Sequence, residues 1–122
     1  MSLRGSCHCG SVRLILAHAP SEVVACDCSL CSRRGMLWAE YANGDVTPDG
    51  HTEPYNWGDR NICFRHCPKC GCTTHWESRR KGGHTGVNAR LIDSYKEAGG
   101  ENVTYSFGGE PVRISVLEGA DG

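Results

Sequence analysis

The chain has 122 residues, with 13 Lys and Arg against 14 Asp and Glu, a formal charge of -1 that gives no field to draw it to nucleic acid or to an anionic membrane. Its length suits one domain, residues 1–122, with a modest core. No run of about 18 apolar residues is present to cross a bilayer as a helix.

In chain order, Gly5-Ser6-Cys7-His8-Cys9-Gly10 reads as a glycine-bounded turn, and residues 11–17 as an aliphatic, β-branched strand that ends before Pro20. Glu22-Val23-Val24-Ala25 predicts a second strand. It delivers the chain into Cys26-Asp27-Cys28-Ser29-Leu30-Cys31, so this cysteine run sits at a strand end, where a rigid sheet can hold a functional loop. Residues 36–41 are apolar and aromatic like a half-buried strand, closed by the turn Asn43-Gly44-Asp45, and Pro48-Asp49-Gly50 reads as a further turn.

Residues 61–66 predict a strand feeding Cys67-Pro68-Lys69-Cys70-Gly71, and residues 73–77 another leaving it. The loop over residues 78–83, with Arg79-Arg80-Lys81, reads as a solvated segment. Residues 84–91 read as one more strand. The one helical signal is residues 92–98, stopped by Gly99-Gly100. Residues 103–107 and 112–117 alternate like strand, and the sum is an all-β domain.

Nine cysteines in so short a chain would suggest a disulfide scaffold in a secreted protein. Their number is odd, however, and seven of them fall into clusters spaced like metal ligands. The opening Met1-Ser2-Leu3-Arg4-Gly5 lacks the apolar stretch of a secretory signal, so a cytoplasmic location with metal-bound thiols is expected. A tight turn through Cys26, Cys28 and Cys31 can aim three sulfurs at one point. Three is the informative number, because a zinc that does chemistry keeps one position for water or substrate while a structural zinc is closed by four protein ligands.

Cys67 and Cys70 form a knuckle in which Gly71 suits a positive φ, and with Cys7 and Cys9 they complete a four-cysteine structural site, His8 pointing away from it. Candidates for a fourth ligand at the triad are Cys63, Cys72, His66 and His75. Cys63 reads more readily as a small core residue and Cys72 as an inert neighbour. Arg33-Arg34 would offset the negative charge of a three-thiolate zinc and offer a site for an anionic ligand.

The order Gly5-x-Cys7-x-Cys9-Gly10-x-Val12-Arg13, Cys26-x-Cys28-Ser29-x-Cys31-x-Arg33-Arg34-Gly35, Tyr55-x-Trp57-Gly58, His66-Cys67-x-x-Cys70-Gly71-Cys72 and Val87-Asn88-Ala89-Arg90-Leu91 resembles the glutathione-dependent formaldehyde-activating enzyme family, which also includes centromere protein V. The resemblance runs from Gly5 to Asp93. It implies a β-tent of short antiparallel strands and two zinc ions, a structural one on Cys7, Cys9, Cys67 and Cys70 and a second, catalytic one on Cys26, Cys28 and Cys31. It also implies the family's activity, a carbon-sulfur lyase that condenses glutathione with formaldehyde to S-(hydroxymethyl)glutathione.

Arg33, Asn88 and Arg90 are then the expected substrate-binding residues, with Asn88 and Arg90 on one face of a predicted strand. A hydrogen bond to a neighbouring loop is the other reading of Asn88. Two further readings stay open: a non-catalytic, zinc-stabilised binding module whose second site is closed by Cys72 or a histidine, and a redox sensor whose three thiols release zinc on oxidation.

Overall fold

The computed structural model describes residues 3–26, 28–56, 62–78, 83–98, 104–107 and 112–117. Among these, the strands are β1 (Leu3–Ser6), β2 (Arg13–Leu16), β3 (Glu22–Cys26), β4 (Leu37–Ala42), β5 (Val46–Asp49), β6 (Glu53–Tyr55), β7 (Ile62–His66), β8 (Thr73–Ser78), β9 (His84–Asn88), β10 (Tyr95–Ala98), β11 (Thr104–Phe107) and β12 (Arg113–Leu117). A short helix, α1 (Ser29–Arg34), and two 3-10 turns at Asn43–Asp45 and Ala89–Leu91 complete them. The all-β expectation holds.

The strands form a seven-stranded sheet in the order β12-β3-β4-β9-β8-β7-β6, a three-stranded sheet β1-β2-β5 and the pair β10-β11. Period-two patterning explains which faces meet. In β2, Leu14 and Leu16 are buried while Arg13 and Ile15 face water. They pack with Val46 of β5 against Val23, Leu37, Ala39, Tyr41 and Val87 of the large sheet, and Tyr105 and Phe107 extend this core. Each aliphatic side chain buried there contributes about 1.5–3 kcal/mol.

Trp38, between Leu37 and Ala39 in β4, points to the opposite face. There it joins Phe64 and Trp76 in a second cluster, packed against Cys28, Cys31 and Met36. Trp76 lies directly over Gly86 of β9. A Cβ at that position would overlap the indole, so only glycine lets the ring lie flat on the sheet.

Four expectations are corrected. Residues 92–98 are not helical: Ile92 is buried and bridged to Gly5, and Tyr95–Ala98 pairs antiparallel with Thr104–Phe107, Tyr95 lying against Tyr105 and Phe107. Tertiary packing here overrides local propensity. The strand read over residues 84–91 ends at Asn88, whose carboxamide oxygen accepts the Arg90 N–H and turns the chain into the 3-10 turn. Pro48 and Asp49 belong to β5, which is an edge strand and so tolerates proline, and the chain bends at Gly50 with φ 107°.

Finally, β12 pairs with β3 in parallel, whereas the other strand pairs described are antiparallel. A parallel pair needs a crossover, and here most of the chain lies between the two strands. Asp27, Trp57-Gly58, Arg79-Arg80-Lys81, Gly99-Gly100 and Val103 lie outside the described residues.

Candidate metal centres

Two similar turns build the first cluster. The Cys7 N–H donates to Val12 O at 3.0 Å and the Gly10 N–H to Cys7 O at 3.1 Å, while the Cys67 N–H donates to Cys72 O at 2.9 Å and the Gly71 N–H to Cys67 O at 2.8 Å. Each turn has a left-handed glycine just after its second cysteine, Gly10 at φ 79° and Gly71 at φ 82°. The expected positive φ at Gly71 is present, and Gly10 repeats it. β1 seats the first turn: the Asp93 N–H donates to Arg4 O at 2.9 Å and the Ser6 hydroxyl to Asp93 Oδ1 at 2.8 Å.

The sulfurs of Cys7, Cys9, Cys67 and Cys70 lie within 4.8 Å of one another. Cys7 and Cys9 are 3.7 Å apart, and Cys9 and Cys67 3.6 Å, across 58 positions of sequence. Four sulfurs about 2.3 Å from a tetrahedral zinc would be about 3.8 Å from each other, so the cage already has the right size. Backbone N–H groups of Cys72 and Cys9 pull the Cys70 thiol down to about 5. The Val12 N–H reaches Cys7 Sγ at 3.3 Å. His8 is exposed.

The second cluster is local. β3 ends on Cys26, and Cys28 caps α1 by accepting the Cys31 N–H on its sulfur at 3.4 Å. The predicted tight turn is therefore a short helix, closed by Gly35 in the left-handed region. The sulfurs of Cys26, Cys28 and Cys31 also lie within 4.8 Å of one another. The surroundings are apolar: Met36, Trp38 and Phe64 are buried against them, with Val24, Leu30, Ile62 and Trp76 at the margin. Burial drives the Cys31 thiol up to about 12, against the pull of the Trp38 indole, and also raises Cys26. At Cys28 burial is outweighed by the Cys31 N–H and the neighbouring thiols, and its thiol is lowered.

No fourth Cys, His, Asp or Glu completes the triad among the described residues. Cys72 packs beside the four-cysteine cluster instead, and Cys63 is buried in β7 opposite Glu77. His75, 1% exposed, pairs through Nδ1 with the Thr74 hydroxyl at 2.8 Å and through Nε2 with Glu77 at 3.2 Å, and burial lowers its pKa. It lines a cavity of about 260 Å³ whose walls include Asn43, Thr85 and none of the cysteines. His66 is paired across the strands with Glu53 and Thr73 and lies outside both clusters.

Asn88 and Arg90 do not share a strand face, because β9 ends at Asn88 and Arg90 lies in the 3-10 turn after it. Arg33 is exposed on α1, its guanidinium donating to Ser29 O at 3.0 Å. Asn88 is buried, and its carboxamide donates to Thr73 O at 2.9 Å and accepts from the Arg90 N–H, which matches the alternative reading of a hydrogen bond to neighbouring chain. Arg90 donates through Nε to Gly35 O at 2.7 Å and through its terminal nitrogen to the Tyr95 hydroxyl at 2.7 Å. It thereby fixes the end of the helix that carries Cys31.

Sequence reading missed the contacts of two residues. Arg34 donates to the Thr73 hydroxyl at 2.7 Å and lies 5.2 Å from the Tyr55 ring centroid, and the Trp38 indole donates to Cys31 Sγ at 3.4 Å. The arginine was read with Arg33 as a charge beside the triad, with no signal that it would reach Thr73 or Tyr55. The tryptophan looked like any aromatic residue of a buried strand.

Comparison with known proteins supplies the rest. A crystal structure of a Rhodobacter sphaeroides protein, a structural-genomics target, superposes with a TM-score of 0.68 at 28% identity, over 93% of this chain and 100% of that one. No curated protein matches the sequence. The sequence model of one family, described as glutathione-dependent formaldehyde-activating enzyme, matches residues 2–107. That match takes in the β1 turn, the cysteine triad, the knuckle and the Asn88 turn, and so the chain belongs to the glutathione-dependent formaldehyde-activating enzyme family.

Proposed function

We propose that the chain, acting as a single domain, is a zinc-dependent enzyme of the carbon-sulfur lyase type that joins a small thiol such as glutathione to an aldehyde such as formaldehyde. Cys26, Cys28 and Cys31 hold the catalytic zinc, and Cys7, Cys9, Cys67 and Cys70 a structural one. The observation that carries this reading is the set of three convergent sulfurs with no fourth ligand among the described residues. When bound there, zinc would supply the positive charge that favours the thiolate form of a guest thiol at neutral pH.

In the overall change the thiol sulfur forms a bond to the aldehyde carbon, the carbonyl π bond breaks, and the proton lost from sulfur ends on oxygen, giving a hydroxymethyl thioether from formaldehyde. The apolar wall of Trp38, Phe64 and Trp76 keeps water off the sulfurs and strengthens charge interactions there. Arg33, exposed on the helix that holds Cys31, pairs with a carboxylate of the thiol substrate. Arg90 and Asn88 serve substrate binding by holding the end of α1 in place. Nine unpaired thiols suit a reducing compartment, the cytoplasm.

Calorimetric titration of zinc-loaded protein with glutathione tests the reading. Saturable heat that disappears in Cys31→Ser is expected. No heat at millimolar thiol, with zinc present at both clusters, would remove glutathione as the substrate.

A further inference from the structure

The three sulfurs of the triad are not held alike. Cys26 accepts the backbone N–H of Cys28, and Cys28 accepts the backbone N–H of Cys31. The donor to Cys31, the deepest of the three, is a side chain, the indole N–H of Trp38 at 3.4 Å. Indole nitrogen can only donate, so the direction of this bond is unambiguous. The ring is also firmly aimed. Trp38 is 4% exposed, sits opposite Val24 and Asn88 in the sheet, and touches Phe64 at 5.9 Å and Trp76 edge-on at 6.5 Å between centroids. Trp76 in turn needs the missing Cβ of Gly86 to occupy its place.

We propose that Trp38 is a positioning residue that orients the Cys31 sulfur and draws off its electron density, so that an incoming aldehyde meets the guest thiol as the stronger nucleophile and leaves the protein's own cysteine unmodified. The proposal rests on the reading of the triad as a metal site. Its chemical basis is that a hydrogen bond to a metal-bound thiolate delocalises the charge that would otherwise attack an electrophile, as groups behind a metal ligand commonly tune it. An aromatic filler without the N–H would pack as well and leave Cys31 exposed to alkylation by the substrate itself.

The test uses full-length protein loaded with zinc or cobalt, comparing wild type, Trp38→Phe and Trp76→Phe, the last removing an indole from the same cluster. In Trp38→Phe, metal affinity at the triad is expected to fall about tenfold. Its sulfur-to-cobalt charge-transfer band should move to lower energy, and mass mapping should show iodoacetamide and formaldehyde modifying Cys31 faster. Trp76→Phe should leave the band in place.

An unchanged band and unchanged Cys31 reactivity in Trp38→Phe would overturn the proposal while leaving the metal site standing. A wild-type chain that takes up metal only at the four-cysteine cluster would overturn the metal site itself. Should Trp38→Phe fail to fold, NMR of wild type loaded with a spin-active cadmium isotope decides. Scalar coupling between the metal and the Trp38 indole proton supports the bond, and its absence refutes it.

Discussion

The two cysteine clusters use the same ligand in opposite ways. The four-cysteine cluster joins two glycine-closed turns that lie 58 residues apart at Cys9 and Cys67. The triad is confined to one strand end and one turn of helix. Closing a long loop restrains the unfolded chain, whereas gathering Cys26, Cys28 and Cys31 closes almost none. The most strongly shifted thiol of each differs as well. Backbone N–H groups bring Cys70 down to about 5, while burial among aromatic rings lifts Cys31 to about 12. One cluster is fitted to tie the fold together. On the proposed reading, the aromatic surroundings of the other serve chemistry more than stability.

The sharpest way to break this comparison is to remove one ligand from each cluster. Cys67→Ser should cost the chain its cooperative thermal transition, because metal binding free energy at a site that spans the sequence is folding free energy. Circular dichroism melts with and without a chelator check this, and a variant that still melts like wild type would show that the tie is dispensable. Cys31→Ser should lose one equivalent of metal by elemental analysis yet keep the wild-type spectrum and a melt reduced by about 1–3 kcal/mol. If the two variants behave alike, the division of labour between the clusters is wrong.

A finer probe acts on the aromatic wall. In Gly86→Ala the new methyl would occupy the space of the Trp76 indole and displace the edge contact to Trp38. Overpacking of this kind costs about 1–3 kcal/mol. The disturbance should be confined to the triad, with faster alkylation of Cys26, Cys28 and Cys31 and unchanged metal at the four-cysteine cluster. Equal loss at both would mean that the clusters are coupled through the sheet.

The two cysteine clusters were legible in the sequence because thiol spacing is short-range information: C-x-C-x-x-C and C-x-x-C-G state which sulfurs can converge. Strand content was legible for a similar reason, as alternation in residues 13–16 shows one buried face directly. The helical reading of residues 92–98 failed because the forces acting there come from far away, Gly5 bridging Ile92 and Phe107 packing on Tyr95. Asn88 and Arg90 were placed by counting along a strand that stops at Asn88, where a side-chain hydrogen bond bends the chain. Trp38 could not be told from a core aromatic, since only the register that sets it opposite Val24, two residues before Cys26, brings its N–H to Cys31.

The smallest expected effect concerns Arg33, the exposed cation on α1. Its guanidinium already donates to Ser29 O one turn back, so its position is partly fixed and little side-chain entropy remains to be lost on binding an anion. An exposed ion pair is worth about 0.2–1 kcal/mol, so Arg33→Ala should weaken thiol binding by no more than about fivefold, and less at high salt. Cysteamine, which has no carboxylate, should bind wild type and variant equally, whereas glutathione should distinguish them. A loss of the same size for both thiols would place the arginine's influence on the metal site itself. That outcome would move Arg33 into the company of Arg90, which holds Gly35 at the end of the same helix.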